Sequence, residues 1–173
     1  MASRARSGDG RAVGELVEQV MGCLSALARA ACPNHAEAED VLQESLLELT
    51  ASIASLKDDQ ALLPWLRRIV RNNAADRGRR RNVRREVSLE AAAALPAPAG
   101  DGALSVAERH RELLAALQSL PGEDRELLAL RHEAGLSLEE IAAAVGQTPR
   151  AVESRLFRAR RALRARLGER AGP

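Results

Sequence analysis

Arginine is the residue whose clustering in this sequence points most directly to chemistry. The first cluster, residues 64–85, holds nine arginines and one acid, Asp76, and the second, residues 149–166, holds seven arginines and one acid, Glu153. A guanidinium group presents a planar fork of donors that matches a phosphate, so dense arginine is typical of surfaces that bind a polyanion. The sequence therefore predicts two polyanion-binding surfaces.

An acidic block precedes the first arginine cluster. Residues 35–59 contain seven acids and one base, Lys57, whereas the whole chain has a formal net charge of only +2. Any one such block is commonly a solvated helix face, but the three together favour a chain that meets nucleic acid at two places and a basic protein surface at a third.

Residues that perform catalysis or hold a metal are not grouped in the sequence. Cys23 and Cys32 are the only cysteines, and the pairing of Cys32 with His35 lacks the two further ligands that a metal site needs. His110 and His132 lie far from His35 in the chain, without a glycine-rich phosphate loop or a nucleophile elbow to join. We therefore expect no enzymatic activity, no cofactor and no metal.

The hydropathy of the sequence indicates where in the cell the protein is expected. No apolar run approaches the roughly 20 residues that span a membrane, and residues 1–11 lack the apolar core of a signal peptide. We expect a cytoplasmic protein with no membrane insertion.

Apolar residues recur with a period near 3.6 along almost the whole chain, which predicts an all-α fold. The pattern predicts a helix over 11–31 and a second helix that begins at Asn34. The second helix is expected to place four apolar residues inward: Leu42, Leu46, Leu49 and Ile53. A third helix begins near Pro64, buries Trp65 in the core and runs into a basic loop.

The composition changes at "SLEAAAALPAPAGDGALS", which is rich in alanine, proline and glycine and is typical of a linker. We therefore expect two small helical domains joined by a flexible linker. The predicted segments are a disordered N-terminus 1–10, a first domain 11–85, a linker 86–104, a second domain 105–168 and a tail 169–173. Ser105 is expected to cap the first helix of the second domain, and Pro121 to open the next.

A short helix, a glycine turn and a longer basic helix are predicted over residues 137–166. Ser137 indicates the start of the short helix, Gly146 its end, and Thr148 the start of the basic helix. Five apolar residues are expected to lock the two helices together: Ile141, Ala142, Val145, Val152 and Leu156. This order is typical of the helix-turn-helix unit, whose second helix lies in the DNA major groove. The alternative, a solvated C-terminal helix in an ordinary bundle, is disfavoured by the outward arginines and by Phe157.

Three segments resemble the extracytoplasmic-function (ECF) group of bacterial sigma factors. They are "AEDVLQESLLEL" (38–49), "PWLRRIVRNNAADRGRRR" (64–81) and the span 113–167 that contains the predicted helix-turn-helix. Their order and the chain length are also those of that family. The resemblance implies a region-two type bundle and a region-four helix-turn-helix domain joined by a flexible linker.

The resemblance also implies roles for three groups of residues. Docking on the clamp helices of the largest polymerase subunit falls on Glu39, Asp40, Gln43 and Glu44. Binding of the non-template strand of the minus-ten element falls on Arg68, Arg71, Asn72, Asp76, Arg79, Arg80 and Arg81. Reading of the minus-thirty-five duplex falls on Arg150, Glu153, Ser154, Phe157, Arg158 and Arg161.

Glu153 departs from the basic residue that the family often carries at this position. Its carboxylate can accept a hydrogen bond from N4 of cytosine. It can instead pair with Arg150 or Arg158 and orient them. We favour the intrahelical pair.

The predicted function is that of an alternative sigma factor, which binds core RNA polymerase, recognises the minus-thirty-five and minus-ten elements and initiates transcription of a specific regulon. Expected partners are the clamp helices and the flap of the polymerase, promoter DNA and an anti-sigma factor. The factor would be nucleoid-associated in the holoenzyme, or held at the membrane by the anti-sigma factor. The alternative is a helix-turn-helix regulator that binds operator duplex without being a polymerase subunit, which leaves the acidic block and the first arginine cluster without a role.

Overall fold

The structure, a computed structural model, describes residues 2–56, 58–87 and 106–170. The α-helices are α1 (Ala2–Arg6), α2 (Gly10–Ala31), α3 (His35–Ser52), α4 (Leu62–Val87), α5 (Val106–Gln118), α6 (Gly122–His132), α7 (Leu138–Val145) and α8 (Pro149–Arg170). The 3-10 turns Ile53–Ser55 and Asp59–Ala61 lie between α3 and α4. No β-strand occurs in the described ranges, and the all-α prediction is confirmed. The predicted linker lies outside the described residues from position 88 onward.

Helices α2, α3 and α4 pack together as the first domain. Trp65 on α4 is buried in their core, as predicted. On α3, Val41 and Leu49 are fully buried, whereas Leu42 and Leu46 are half-buried at the edge of the core. The inward face of α3 is therefore rotated slightly from the predicted one.

The first ten residues, expected to be disordered, contain α1. Ala5 is 1% exposed because α1 packs on α2 and on the turn Ile53–Ser55. Asp9 then caps α2, accepting hydrogen bonds from two backbone N–H groups of the first turn at 3.0 and 3.2 Å. Arg4 donates to the same carboxylate at 2.6 Å. The short polar segment carries too little apolar periodicity for its sequence to predict a contact that tertiary packing creates.

Helix α4 is longer than predicted, because the tract expected to be a basic loop is helical to Val87. Gly78 does not interrupt the helix, although a mid-helix glycine costs about 1 kcal/mol relative to alanine. Arginine is a good helix former, and ion pairs with α3 hold this part of α4 in place.

Helices α5 to α8 form the second domain. Ile141 on α7 and Val152 and Leu156 on α8 have no exposed surface, which confirms the predicted apolar lock. On α5, by contrast, Leu113 and Leu114 remain exposed at the surface.

The predicted helix starts are confirmed where they are described. Asn34, Ser137 and Thr148 each accept a hydrogen bond from a backbone N–H in the first turn of α3, α7 and α8, at 2.9, 3.1 and 3.2 Å. Glu140 completes a capping box by accepting from the Ser137 N–H at 2.8 Å. The predicted cap at Ser105 lies outside the described residues.

The two domains pack against each other. Helix α2 lies along α6, and α4 contacts α7. The small side chains of Ala26, Ala30 and Ala129 are buried together and allow close approach of α2 and α6. Buried apolar residues form one continuous cluster from α2 to α8. Among the described residues, no helix has the length and apolar character needed to cross a membrane.

Gly146 ends α7 in the left-handed backbone region, with φ of 68°. We expect Gly146→Ala to lower the free energy of unfolding by about 1–2 kcal/mol, because a Cβ atom is disfavoured in this conformation. No heavy atom lies within 4 Å of the added Cβ, so the effect is conformational. The matched control is Gly22→Ala inside α2, also in open space, which we expect to stabilise by about 0.5–1 kcal/mol. Urea denaturation of both variants tests the opposite signs, and equal stability of Gly146→Ala and wild type contradicts the prediction.

Candidate nucleic-acid interface

Helix α7, the turn 146–148 and α8 form the candidate groove-reading unit. Because Ile141, Val152 and Leu156 are fully buried between the helices, apolar packing sets the angle at which α8 is presented. The predicted helix-turn-helix is confirmed by this arrangement and by the family comparison below.

One side of α8 is exposed along its first turns. It carries all six residues predicted to contact the minus-thirty-five duplex: Arg150, Glu153, Ser154, Phe157, Arg158 and Arg161. Phe157 is 66% exposed, and the buried residues Val152 and Leu156 lie on the opposite side of the helix. The structure thus brings the six residues together on one accessible face, defined here as the recognition face.

Arg155 is a residue of α8 to which the sequence analysis assigned no role. Its Nε donates to Asp124 at 2.8 Å and its Nη2 to Glu123 at 2.7 Å, both on α6. The two carboxylates raise the pKa of the Arg155 guanidinium, and the hydrogen bond from Arg155 lowers the pKa of Glu123. Arg155 therefore fastens α8 to the start of α6 and points away from the recognition face. In the sequence, the only indication of this role of Arg155 was the pair of adjacent acids in the first turn of α6.

The residues predicted to bind the minus-ten strand divide into two groups on α4. Five are exposed: Arg68, Arg71, Asn72, Arg79 and Arg80. Asp76 pairs with Arg79 on the same helix. Arg81, by contrast, donates to Glu37 of α3 at 2.7 Å. The exposed five, with Asp76, are defined here as the cationic stripe, and Arg81 lies in the contact between α3 and α4.

Arg77 of α4 pairs with two of the four α3 residues that were predicted to bind polymerase. It donates to Glu44 at 2.8 Å and also contacts Asp40. Glu39 and Gln43 remain exposed. Two of the four predicted residues are therefore already held by an arginine of α4, and two face solvent. Arg77 had no predicted role, because only the fold brings positions so distant in the chain together.

A largely buried ion pair joins the two domains. Arg67 of α4 donates to Glu126 of α6 through two nitrogens, with Nη2 to Oε2 at 3.2 Å. Their side chains are 21% and 9% exposed. Arg29 and Glu133 form a more exposed ion pair between α2 and the end of α6, at 2.6 Å. These contacts hold both candidate DNA surfaces on one compact body.

Both cysteines are buried thiols. Burial raises the pKa of Cys23 and of Cys32 to about 11, because desolvation disfavours the thiolate. In the part of the chain that the structure describes, no three His, Cys, Asp or Glu side chains are grouped so that they could hold a metal ion.

Comparison with known proteins assigns these features to a family. Residues 16–84 match the family described as Sigma-70 region 2, and residues 110–163 match Sigma-70, region 4. The first match covers most of the bundle of α2 to α4, and the second covers most of α5 to α8.

Individual relatives support the same family assignment. The probable RNA polymerase sigma factor RfaY of Xanthomonas campestris pv. campestris is 35% identical over 173 residues, which cover 96% of this chain but 43% of that longer relative. The ECF RNA polymerase sigma-E factor of Salmonella typhimurium is 31% identical, with 94% of this chain and 90% of the relative covered. The sigma factor RpoE of Bartonella quintana, solved in complex with the anti-sigma factor NepR, has a TM-score of 0.64 and 28% identity over 90% of this chain and 96% of that one. From its two matched regions and these relatives, the chain belongs to the sigma-70 family of RNA polymerase sigma factors, in the ECF group.

Proposed function

We propose that this chain is an alternative sigma factor that binds core RNA polymerase, recognises the minus-thirty-five and minus-ten elements and initiates transcription of a specific set of genes. The observation that carries the proposal is the presence of three surfaces on one sigma-family chain: the recognition face of α8, the cationic stripe of α4 and the acidic face of α3. An operator-binding regulator needs only the first of them.

The recognition face supplies two kinds of contact with the minus-thirty-five duplex. Arg150, Arg158 and Arg161 place positive charge at the phosphates, so binding weakens as salt concentration rises. Ser154 and Phe157 lie between these arginines. The short side chain of Ser154 and the flat ring of Phe157 can contact base edges. Because Arg155 ties α8 to α6, the face is presented at a fixed angle.

The cationic stripe suits a displaced single strand. Opening a duplex and extruding a base costs a few kcal/mol, which a groove or stripe of cations offsets by holding the backbone. Trp65, the single aromatic residue of α4, is buried. Guanidinium planes of Arg68, Arg79 and Arg80 therefore take the place of aromatic stacking platforms.

The acidic face of α3 suits a basic surface of core polymerase. Glu39 and Gln43 can bind without rearrangement because they face solvent. Asp40 and Glu44 can exchange Arg77 for a cation of the polymerase, since a partly exposed ion pair is worth only about 0–1 kcal/mol.

An anti-sigma factor is a further proposed partner, by likeness to the complex of RpoE and NepR. The proposed activity takes place in the cytoplasm, on the nucleoid, and an anti-sigma factor anchored in the membrane would hold the chain there until release.

Transcription with purified core polymerase tests the function. We expect the chain plus core polymerase to produce transcripts from particular members of a barcoded library of randomised promoters, and core polymerase alone to produce none. The proposal fails if no promoter-dependent transcript appears while the chain alone binds a duplex operator tightly.

The acidic face has a matched control within the chain. We expect Glu39→Arg with Gln43→Arg to weaken binding to core polymerase by about tenfold or more, because like charges then meet across the interface. Glu15 and Gln19 of α2 are an exposed Glu and Gln at the same spacing. Glu15→Arg with Gln19→Arg makes the same charge change away from the proposed contact, and equal loss of affinity in both variants contradicts the assignment.

A further inference from the structure

Glu153 is the one acid on the recognition face, and no cation among the described residues pairs with it. Its side chain is exposed. The ion pairs of α8 join Arg155 to α6, and none joins Glu153 to another residue that the structure describes. The intrahelical pair favoured by the sequence analysis is therefore not formed.

Helix geometry explains why the pair is missing. Side chains three or four residues apart are neighbours on a helix. At those spacings Glu153 meets Pro149, Leu156 and Phe157, and its only cationic neighbour is Arg150, which precedes it in the less favourable order of a base before an acid. Arg158 is five residues away and so does not lie beside Glu153. Arg155 is held by Glu123 and Asp124.

A carboxylate at this place is repelled by phosphates and by most base edges. The N-terminal half of a recognition helix faces the bases in the major groove, and Glu153 lies in the second turn of α8. Guanine presents acceptors there, thymine presents an acceptor and a methyl group, and adenine presents a donor beside an acceptor. Cytosine presents the N4 amino group as a donor, which a carboxylate accepts from directly.

We propose that Glu153 is a specificity-determining residue that reads a cytosine in the upstream promoter element by accepting a hydrogen bond from its N4 amino group. The inference rests on the proposed function and specifies one base that the recognition face reads. The surrounding arginines supply affinity without regard to sequence, whereas Glu153 penalises every base that lacks the donor.

Selection over the barcoded promoter library, with full-length chain and core polymerase, tests the inference. We expect wild type to prefer cytosine by about tenfold at one position of the minus-thirty-five element. Glu153→Ala should abolish that preference and leave the other positions unchanged. Glu153→Gln should move the preference to adenine, because an amide both donates to N7 and accepts from N6.

Glu139→Gln is the control for the loss of one negative charge. It removes an exposed acid from α7 and should keep the cytosine preference. Variants of Glu153 that select the same bases as wild type at every position overturn the inference while the proposed function stands. Failure of wild type to transcribe any library member overturns the proposed function, and the inference with it.

Discussion

Arg67→Ala is expected to separate the two domains. The substitution leaves the Glu126 carboxylate, 9% exposed in the packed arrangement, without its cation. Breaking one side of a buried pair costs about 3–5 kcal/mol while the remaining charge stays buried. Separation of α4 from α6 returns Glu126 to water and relieves that cost. Small-angle X-ray scattering measures the result as a radius of gyration well above the roughly 16 Å of a compact chain of this length.

Two further variants make this result specific. Arg68→Ala removes the neighbouring exposed arginine of α4 and should leave the radius of gyration unchanged. Replacing both partners with apolar residues, Arg67→Met with Glu126→Leu, should preserve the packed arrangement, because it leaves no unpaired buried charge. An Arg67→Ala variant as compact as wild type would show that the ion pair does not hold the domains together.

Promoter geometry requires such a separation. The minus-thirty-five and minus-ten elements lie about 25 base pairs apart, or about 85 Å along B-form DNA. A compact chain of 173 residues is about 40 Å across. Residues 87 and 106 are joined by 18 residues, and a chain of 18 residues spans at most about 60 Å. Engagement of both elements at once therefore needs the domains apart, and the contacts between α2, α4, α6 and α7 must be given up first.

Leu156→Ala is expected to unfold the helix-turn-helix domain at a much lower temperature. Leu156 has no exposed surface and packs where α8 meets the rest of the domain. Loss of a buried leucine side chain costs about 2–5 kcal/mol through lost transfer energy and the cavity left behind. For a domain of this size the midpoint of thermal unfolding falls by about 10 °C or more. Circular dichroism during heating measures the change.

Leu114→Ala is the matched control, since Leu114 lies in the same domain but is 47% exposed. Its midpoint should change by only a few degrees. Binding of the minus-thirty-five duplex should be lost in Leu156→Ala near the temperature at which its domain unfolds and be kept in Leu114→Ala. Similar midpoints for the two variants would mean that Leu156 does not hold the helix-turn-helix together.

Much of the candidate site could be predicted before the fold was known, because it depends on local rules. Asn34, Ser137 and Thr148 indicated helix starts through their side-chain acceptors, and Gly146 indicated a helix end through its backbone freedom. The 3.6-residue period then placed the six residues of the recognition face on one side of α8 and the apolar residues on the other.

The errors arose where the deciding contact is distant in the chain. Helix α1 and the second half of α4 were predicted to be irregular, yet packing on α2 and ion pairs with α3 keep them helical. The pairing predicted for Glu153 with Arg150 or Arg158 failed for a different, local reason. Arg158 is five residues away and does not lie beside Glu153, and Arg150 precedes it in the less favourable order of a base before an acid.

By itself the sequence determined the helical class, the helix-turn-helix, the segregation of charge and the resemblance to sigma factors. These follow from composition and from spacings of three or four residues, which a helix converts directly into a face. Only the tertiary structure decided which charged side chains are open to solvent and which are held by ion pairs within the protein. Arg67, Arg77, Arg81 and Arg155 are held by carboxylates on other helices, whereas the cationic stripe and Glu153 remain open to solvent. An ion pair between residues dozens of positions apart depends on how helices pack, and no periodicity along the chain encodes that.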